Sequence, residues 1–261
     1  MPLGFGRSIL SKPIVAAAGG YTAEAVTFDG TDSLEKTSNL TGLSNGKQFT
    51  VSTWLYTGVS STYGVFGNHG FKVYAQWRLG DNRIDFVGNS TSGLILNDQA
   101  ASTFNAGEWY HILYSVDLGV ASSNTQCYVN DTQATITHAT FSDADLAFDS
   151  GAISAGWTVG SIYDNTPAND PFQEIVGDMS EFWWDDSFLD LTTETNRRKF
   201  ITADGQPVDL GSDGSTPTGS SPKMYFTGEA STWNAGTNAG SGGAFTMNNA
   251  VTDSSNEPVE F

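Results

Sequence analysis

The sequence predicts an all-β protein, a two-sheet sandwich of the jelly-roll type. Short runs rich in aromatic and β-branched residues recur along most of the chain, and turns of Gly, Asn, Asp and Ser separate them. A single segment, 189–200, has a helical pattern, with Thr192 or Thr193 as its N-cap. The 261 residues, 38% of them hydrophobic, suffice for one large core, and the single cysteine, Cys127, excludes an intrachain disulfide.

The predicted strands begin after a tail of 20 residues. Residues 25–28 form the first strand, and the turn 29–32 follows it. The clearest strand is 49–56, because its period-two pattern places Phe49, Val51, Thr53 and Leu55 on one face. The other predicted strands are 63–66, 71–77, 83–87, 108–117, 125–131, 157–162 and 177–184, with turns at 80–82 and 130–131.

Composition divides the chain into three parts, 1–20, 21–200 and 201–261. The first part resembles a tail, and because free termini are poorly ordered unless something holds them, we expect it to dock on a surface. The second part is the sandwich. The third is rich in Gly, Ser, Thr, Asn and Asp, and we expect a loop-rich extension that packs on the sandwich or on a partner. The side chains expected to make the docking contact of the tail are Leu3, Phe5, Arg7, Ile9 and Leu10.

The charge balance argues against several functions. The formal net charge is −18 and the pI is about 4.2. Nucleic acids and anionic membranes attract basic surfaces, so we expect neither as a partner. No apolar run approaches the roughly 18 residues of a membrane span. The three histidines are far apart and form no paired zinc motif, which argues against a zinc hydrolase.

Six segments in a fixed order resemble the laminin-G-like, concanavalin A-like jelly-roll family. The resemblance covers roughly residues 21–190 and departs from the family pattern at Asp131, where a glycine is usual. It implies that the first segment is an edge-forming strand with its turn, and that the last closes a sheet. The six segments are 26–30, 49–54, 108–112, 127–131, 158–160 and 177–182.

A second resemblance concerns the source of the protein. Residues 198–214 and 217–222 look like the segment that follows the jelly roll in structural proteins of tailed bacteriophages, and residues 1–8 are similar to the opening of such virion proteins. This implies a decoration, fibre or tail-associated protein on the particle surface. The expected partners are other virion proteins, bound through the tail, sibling copies in a homo-oligomer, and a host surface polysaccharide.

Sugar binding requires exposed aromatic rings, and the strands supply candidates. We expect Tyr74, Trp77 and one of the adjacent Trp183 and Trp184 to take part. Neighbouring residues of a strand face opposite sides, so one of these two rings belongs to the core, and the other is exposed or covered by residues 201–261. For any single tryptophan, a core position is the competing interpretation, because aromatic rings dominate core burial.

A structural calcium ion is the expected cofactor. In related sandwiches a calcium ties the turn after the first strand to the closing strand, which implies Asp29 and Asp178 as ligands, with Asp32 nearby. The competing interpretation is a turn in which Asp residues bond their own backbone. That interpretation is favoured for a second oxygen-rich loop, 164–170.

We expect a binding protein and not an enzyme. Retaining glucanases of this fold require two carboxylates on one strand face, about 5–5.5 Å apart. Glu174 and Asp178 share a face, whereas Glu181 points away, so the pattern differs from the glucanase motif. A free extracellular carbohydrate-binding module remains the main alternative to a virion protein, and a glycoside hydrolase is a less favoured one.

Overall fold

Two antiparallel sheets form the framework of the structure, a computed structural model that describes residues 21–120, 124–149, 156–163 and 171–258. The first sheet contains β1 (Val26–Asp29), β3 (Gln48–Tyr56), β8 (Trp109–Asp117), β9 (Thr125–Val129), β10 (Thr132–Gln133), β15 (Val176–Asp185), β16 (Met224–Phe226) and β18 (Thr252–Asp253). The second contains β2 (Ser33–Lys36), β4 (Thr62–Asn68), β5 (Val73–Arg78), β6 (Arg83–Ser90), β7 (Gly93–Ala101), β11 (Thr135–Phe141), β12 (Trp157–Val159) and β17 (Thr246–Asn248). A separate hairpin consists of β13 (Ile162–Tyr163) and β14 (Pro171–Phe172), and the helices are α1 (Glu194–Arg197) and α2 (Ala230–Asn234).

The strand order brings distant parts of the sequence together. In the first sheet the order is β10-β9-β8-β3-β15-β1-β18, and β16 also pairs with β15. In the second sheet the order is β11-β7-β6-β5-β4-β12-β2-β17. Strands from the last 40 described residues therefore belong to both sheets. Across the described ranges, no helix is both long enough and apolar enough to cross a membrane.

The space between the two sheets is filled by apolar and aromatic side chains. Phe49, Val51 and Leu55 of β3 point into it, as the period-two pattern predicts. The ring of Phe86 on the second sheet stacks on Tyr114 of the first, with centroids 3.7 Å apart. Burial of such large rings is the main favourable term in folding. The all-β jelly-roll prediction is confirmed.

The outer face of the first sheet is covered by the chain that follows β15. Trp183 on this face packs edge-on against Phe200, with ring centroids 5.2 Å apart, and Leu210 joins the same buried cluster. Farther along the sheet, Ile201 packs with Trp54. The covering segment therefore buries a second layer of apolar side chains, which leaves this face of the sandwich without a broad accessible surface.

A bulge in β15 lets two strands share one edge of it. The first half of β15 pairs with β1 and the second half with β16. Between these halves the register with β3 shifts, from Ser180 to Trp183, and Glu181 adopts a left-handed φ of +50°. A non-glycine residue rarely adopts this conformation, so surrounding contacts must hold it there.

Three hydroxyl groups provide those contacts to the buried Glu181 carboxylate. Tyr21 donates a hydrogen bond of 2.6 Å to Oε1, Tyr225 donates one of 2.7 Å to Oε2, and Thr227 also donates to Oε1. Burial raises the pKa of Glu181, and the three hydroxyl donors act against that shift. The carboxylate thus joins the start of the described chain, β15 and the segment around β16.

His111 on β8 is buried beneath the same covering segment. Its Nε2 lies 2.9 Å from the Ser52 hydroxyl oxygen, and its ring lies 4.8 Å from the Trp54 ring. Burial lowers the pKa of His111 to about 3, because the charged form loses its hydration. The imidazole is therefore neutral at physiological pH.

The predicted strands agree with the structure more closely than the predicted helix does. Each predicted strand overlaps an observed one, and residues 130–131 form the expected hairpin turn, with φ of 48° and 60°. The prediction of one strand over 157–162 is wrong, because the chain turns at Gly160 and forms β12 and β13. The helix predicted over 189–200 is wrong over most of its length, since only Glu194–Arg197 is helical. The sequence patterns do not predict β2, β7, β10, β11 or β14.

We predict that Glu181→Ala lowers the free energy of unfolding by about 3 kcal/mol, because the buried Tyr225 hydroxyl loses its acceptor. Denaturant titration of the variant measures the change. The matched control is Glu194→Ala, whose carboxyl is exposed and pairs with Arg198, and it should stay within about 0.5 kcal/mol of the original protein. Equal effects of the two substitutions would contradict the role given to Glu181.

We also predict a pH-dependent contribution of His111. The unfolded chain takes up a proton on this histidine near pH 6.5, whereas the folded chain does not until about pH 3. The contribution to stability is therefore lost as the pH falls between these values, by up to about 1.4 kcal/mol per pH unit. His111→Gln removes this loss, so the stability difference between original and variant should shrink between pH 7 and pH 4.5 in denaturant titrations. A difference that does not change with pH contradicts the prediction.

Candidate functional site on the outer face of the second sheet

The outer face of the second sheet carries a row of polar side chains that crosses four strands. On β5, Val73, Ala75 and Trp77 point into the core, so the residues between them point outward. Directly paired residues of neighbouring strands lie on the same face, which defines the row from the register. This polar row consists of Gln76, Asp85, Gln99 and Thr137, on β5, β6, β7 and β11 respectively.

An aromatic cluster lies at the β5 end of this face. The Phe71 ring contacts Tyr74 and Phe172, with ring centroids 5.5 Å and 6.5 Å away. Phe172 is 45% exposed, while Phe71 and Tyr74 are half-buried. Phe71 has a φ of 52°, an unusual conformation for a bulky residue, and that backbone carries its ring to the other two. Three adjoining rings with accessible surface form an apolar platform.

The β13–β14 hairpin and the residue after it border the face. Gly64 of β4 makes room for the hairpin, because a Cβ on this glycine would lie 2.5 Å from the Ile162 backbone nitrogen. Gln173 follows β14 with a φ of 54°, and its backbone carbonyl accepts a 2.6 Å hydrogen bond from Gly64. Its side-chain oxygen accepts a 2.5 Å bond from Gln76 Nε2. Gln173 therefore extends the polar row by one residue.

Four charged side chains, one of them Asp85 of the polar row, form an ion network. Arg78 Nε lies 2.8 Å from Asp81 Oδ2, and Arg83 Nε lies 2.9 Å from Asp85 Oδ1. Arg78 Nη1 also lies 3.5 Å from Asp85 Oδ2, and Arg83 Nη2 lies 3.9 Å from Asp81 Oδ2. Burial raises the pKa of Asp85, and the two guanidinium groups oppose that shift. Two positive and two negative charges leave the network neutral when all four groups are ionised.

The arrangement is suited to a polar, ring-shaped ligand. Carboxamide groups each offer both donors and acceptors, as a sugar with many hydroxyl groups requires. Aromatic rings present a flat apolar surface beside them. Strained backbone at both Phe71 and Gln173 also falls within this area, and such strain concentrates at functional sites.

The structure corrects the choice of tryptophans as sugar-binding residues. Trp77 and Trp184 are completely buried between the sheets, and Trp183 is completely buried under the covering segment, where its Nε1 donates a 2.9 Å hydrogen bond to the Gly214 carbonyl. None of the three has a ring face free for a sugar. Of the predicted candidates, Tyr74 alone has accessible surface.

The expected calcium ligands Asp29, Asp32 and Asp178 all accept hydrogen bonds from within the chain. Asp29 Oδ1 accepts hydrogen bonds from the Thr31 backbone and hydroxyl, and Asp32 Oδ2 accepts the Asp29 backbone N–H. Asp178 Oδ1 accepts a hydrogen bond from the Thr27 hydroxyl, and its Oδ2 accepts one from Asn256 Nδ2. Within the described ranges, no group of three or more His, Cys, Asp or Glu side chains is placed to hold a metal ion. Calcium also takes carbonyl oxygens as ligands, so the calcium ion stays a prediction.

Two of the carboxylates considered for glycoside hydrolysis, Asp178 and Glu181, are bonded within the fold. Asp178 bonds across to β1 through Thr27, and Glu181 is enclosed by three hydroxyl groups. Each carboxylate is buried and bonded within its own part of the sheet. The predicted docking residues Leu3, Phe5, Arg7, Ile9 and Leu10, and the loop 164–170, lie outside the described residues.

Comparison with known proteins agrees with this architecture. Residues 28–184 match the laminin G model of the concanavalin A-like lectin/glucanases superfamily. Because this match spans more than half of the chain, the protein belongs to that family. No curated protein sequence is similar to the chain.

Solved structures share the fold at low sequence identity. One is a candidate carbohydrate-binding protein from Bacteroides ovatus, with a TM-score of 0.61 and 15% identity over 91% of this chain and 62% of that one. The native heptameric SAP-like pentraxin from Limulus polyphemus gives a TM-score of 0.49 and 12% identity over 65% of this chain and 79% of that one. Domain 4 of an extracellular arabinanase from Geobacillus stearothermophilus was solved with arabinotriose. It gives a TM-score of 0.42 and 18% identity over 67% of this chain and 79% of that one.

We predict that Gly64→Ala destabilises the protein by about 2 kcal/mol, because the new methyl group meets the Ile162 backbone and displaces the hairpin. Gly58→Ala is the matched control, since nothing lies within 4 Å of a Cβ there. Denaturant titration gives the free energies, and hydrogen exchange at Ile162 and Tyr163 reports the displacement. Unchanged exchange in Gly64→Ala contradicts the close contact.

Proposed function

We propose that this protein binds carbohydrate on the outer face of the second sheet. The observation that carries the proposal is that the aromatic cluster (Phe71, Tyr74 and Phe172) adjoins the bonded amides of Gln173 and Gln76, with Gln99 two strands away in the same row. Lectin-like and carbohydrate-binding folds among the structural neighbours support the same class of ligand.

The spacing of the polar row suits an extended sugar chain. Neighbouring strands lie about 4.8 Å apart, which is close to the length of one pyranose unit in an extended chain. A chain that crosses β5, β6, β7 and β11 therefore meets Gln76, Gln99 and Thr137, and passes over the buried, ion-paired Asp85 on β6. The aromatic cluster then supports the sugar at the β5 end.

The charge of the face favours a neutral glycan. Arg78 and Arg83 are each paired with Asp81 and Asp85, so neither guanidinium carries an uncompensated charge. The rest of the chain has a large excess of acidic residues, and its field repels polyanions. Hydrogen bonds and apolar contact, not charge attraction, supply the affinity in this proposal.

The proposed biological setting is the surface of a bacteriophage particle. Its support is the resemblance of residues 198–214 and 217–222 to phage structural proteins, together with that of residues 1–8. The tail would then hold the protein on other virion proteins, and the sheet face would meet the host polysaccharide. Co-purification of the full chain, but not of a 1–20 deletion, with intact particles tests this setting. A free extracellular carbohydrate-binding module is the alternative, and it requires no particle.

We predict that Tyr74→Ala and Gln76→Ala each weaken glycan binding at least tenfold, a loss of about 1.4 kcal/mol. An array of immobilised neutral and acidic polysaccharides identifies the ligand, and calorimetry with that glycan gives the affinities. Gln133→Ala on β10 of the first sheet is the matched control for Gln76→Ala and should bind normally.

Two outcomes would overturn the proposal. Binding that Gln133→Ala weakens as much as Gln76→Ala places the site elsewhere. No binding to any polysaccharide of the array, by a protein shown to be folded, removes the carbohydrate function and leaves a structural role.

A further inference from the structure

The polar row on the outer face of the second sheet reaches β4 at a glycine. Gly64 of β4 pairs directly with Gln76, so the place of its missing side chain is the next position in the row. Gly67 pairs in the same way with Tyr74, which also points outward. At both positions β4 therefore presents no side chain to a ligand.

The β13–β14 hairpin fills the space above both glycines. A Cβ on Gly64 would lie 2.5 Å from the Ile162 backbone nitrogen, and a Cβ on Gly67 would lie 3.2 Å from Ile162 Cγ2. Gln173, which follows the hairpin, bonds to β4 through its backbone carbonyl and to Gln76 through its side chain. The row therefore ends at Gln76, against a second layer of polypeptide.

The opposite end of the row is open in the part of the chain that the structure describes. β11 is the last strand of the second sheet in that direction, and Thr137 on it is the last residue of the row. Thr135 and Thr137 are both exposed, and no described strand lies beyond them. An extended ligand in the row can thus leave the sheet over β11 but not over β4.

We infer that the site binds the end of a neutral glycan chain, with the terminal sugar against the hairpin and the following sugars over β6, β7 and β11. This inference rests on the proposed carbohydrate binding. An internal segment of a long chain requires free passage at both ends of its site, whereas a row closed at one end accepts a chain that stops there. With strands about 4.8 Å apart, the row has room for about four sugars.

The closed end also carries groups that suit a terminal sugar. Such a sugar has a hydroxyl group where an internal unit has a glycosidic bond, and this hydroxyl can both donate and accept a hydrogen bond. The bond between Gln76 and Gln173 uses one donor hydrogen of the first amide and the oxygen of the second. Each amide keeps further hydrogen-bonding capacity, and the rings of Tyr74 and Phe172 belong to the adjoining aromatic cluster.

Calorimetry with one polysaccharide at two chain lengths tests the inference. The probe is whichever neutral polysaccharide of the array binds most strongly, with amylose, laminarin, mannan and dextran included, and it is used intact and after partial acid hydrolysis. We expect the number of protein molecules bound per gram to rise in proportion to the number of chain ends. Borohydride reduction of the hydrolysate then identifies the terminus, because it abolishes binding through the reducing end and leaves binding through the other end unchanged.

Two results of this titration would overturn the inference. A number of bound protein molecules per gram that stays constant after hydrolysis shows binding to internal segments, and the proposed carbohydrate function then still stands. Absence of binding to every polysaccharide, by a protein shown to be folded, contradicts the carbohydrate function and this inference together.

Two variants at opposite ends of the row supply a second test. Gln173→Gly removes the side chain at the closed end, and glycine accepts the φ of 54° found at this residue. It should weaken the binding of a disaccharide and of a tetrasaccharide from the hydrolysate by the same factor, about tenfold. Thr137→Ala at the open end should weaken the tetrasaccharide about threefold more than the disaccharide, because only the longer ligand reaches β11. An equal effect of Thr137→Ala on the two ligands overturns the inference.

Discussion

The completion of β15 along one edge is the constraint on which the rest of the structure depends. β1 and β16 lie far apart in the sequence, and both must pair with that edge. The bulge at Glu181 separates them, and the hydroxyl groups of Tyr21, Tyr225 and Thr227 fasten both segments to the buried carboxylate. A buried carboxylate is costly unless it is bonded in this way, so one site ties both Tyr21 and the segment around β16 to the central strand β15.

This closure makes the two sides of the sandwich different. Fastening β16 to β15 holds the intervening chain over the first sheet, where Trp183, Phe200 and Leu210 form a second buried layer. The outer face of the second sheet has no comparable layer within the described ranges, since only the β13–β14 hairpin lies over part of it. The face with half-buried amides and an exposed Phe172 is thus the side that remains available to a ligand.

Local patterns in the sequence reveal the fold but only part of the site. Period two in residues 49–56 identifies a core strand directly. Local patterns do not predict β7, because Asn97, Asp98 and Gln99 are poor strand formers. Asp98 also occupies a core position, which is possible only because Tyr114 and His138 of other strands bond to it. The strand 73–78 does alternate, but aromatic residues stand on both of its faces, so the pattern favours Tyr74 and Trp77 alike, although only Tyr74 lies on the outer face. Gln76 and Gln99 belong to the same row only because of the pairing register of β5, β6 and β7, and no local sequence pattern contains that register.

Amide chemical-shift mapping by NMR, with the glycan that the array identifies, tests the central claim most directly. The account predicts that titration shifts the amides of Tyr74, Gln76 and Gln99, together with residues 171–173, and leaves the first sheet unchanged. Shifts confined to the turn 29–32 and the start of β15 would contradict it, because they would place the ligand at the end of the sandwich and not on the outer face of the second sheet.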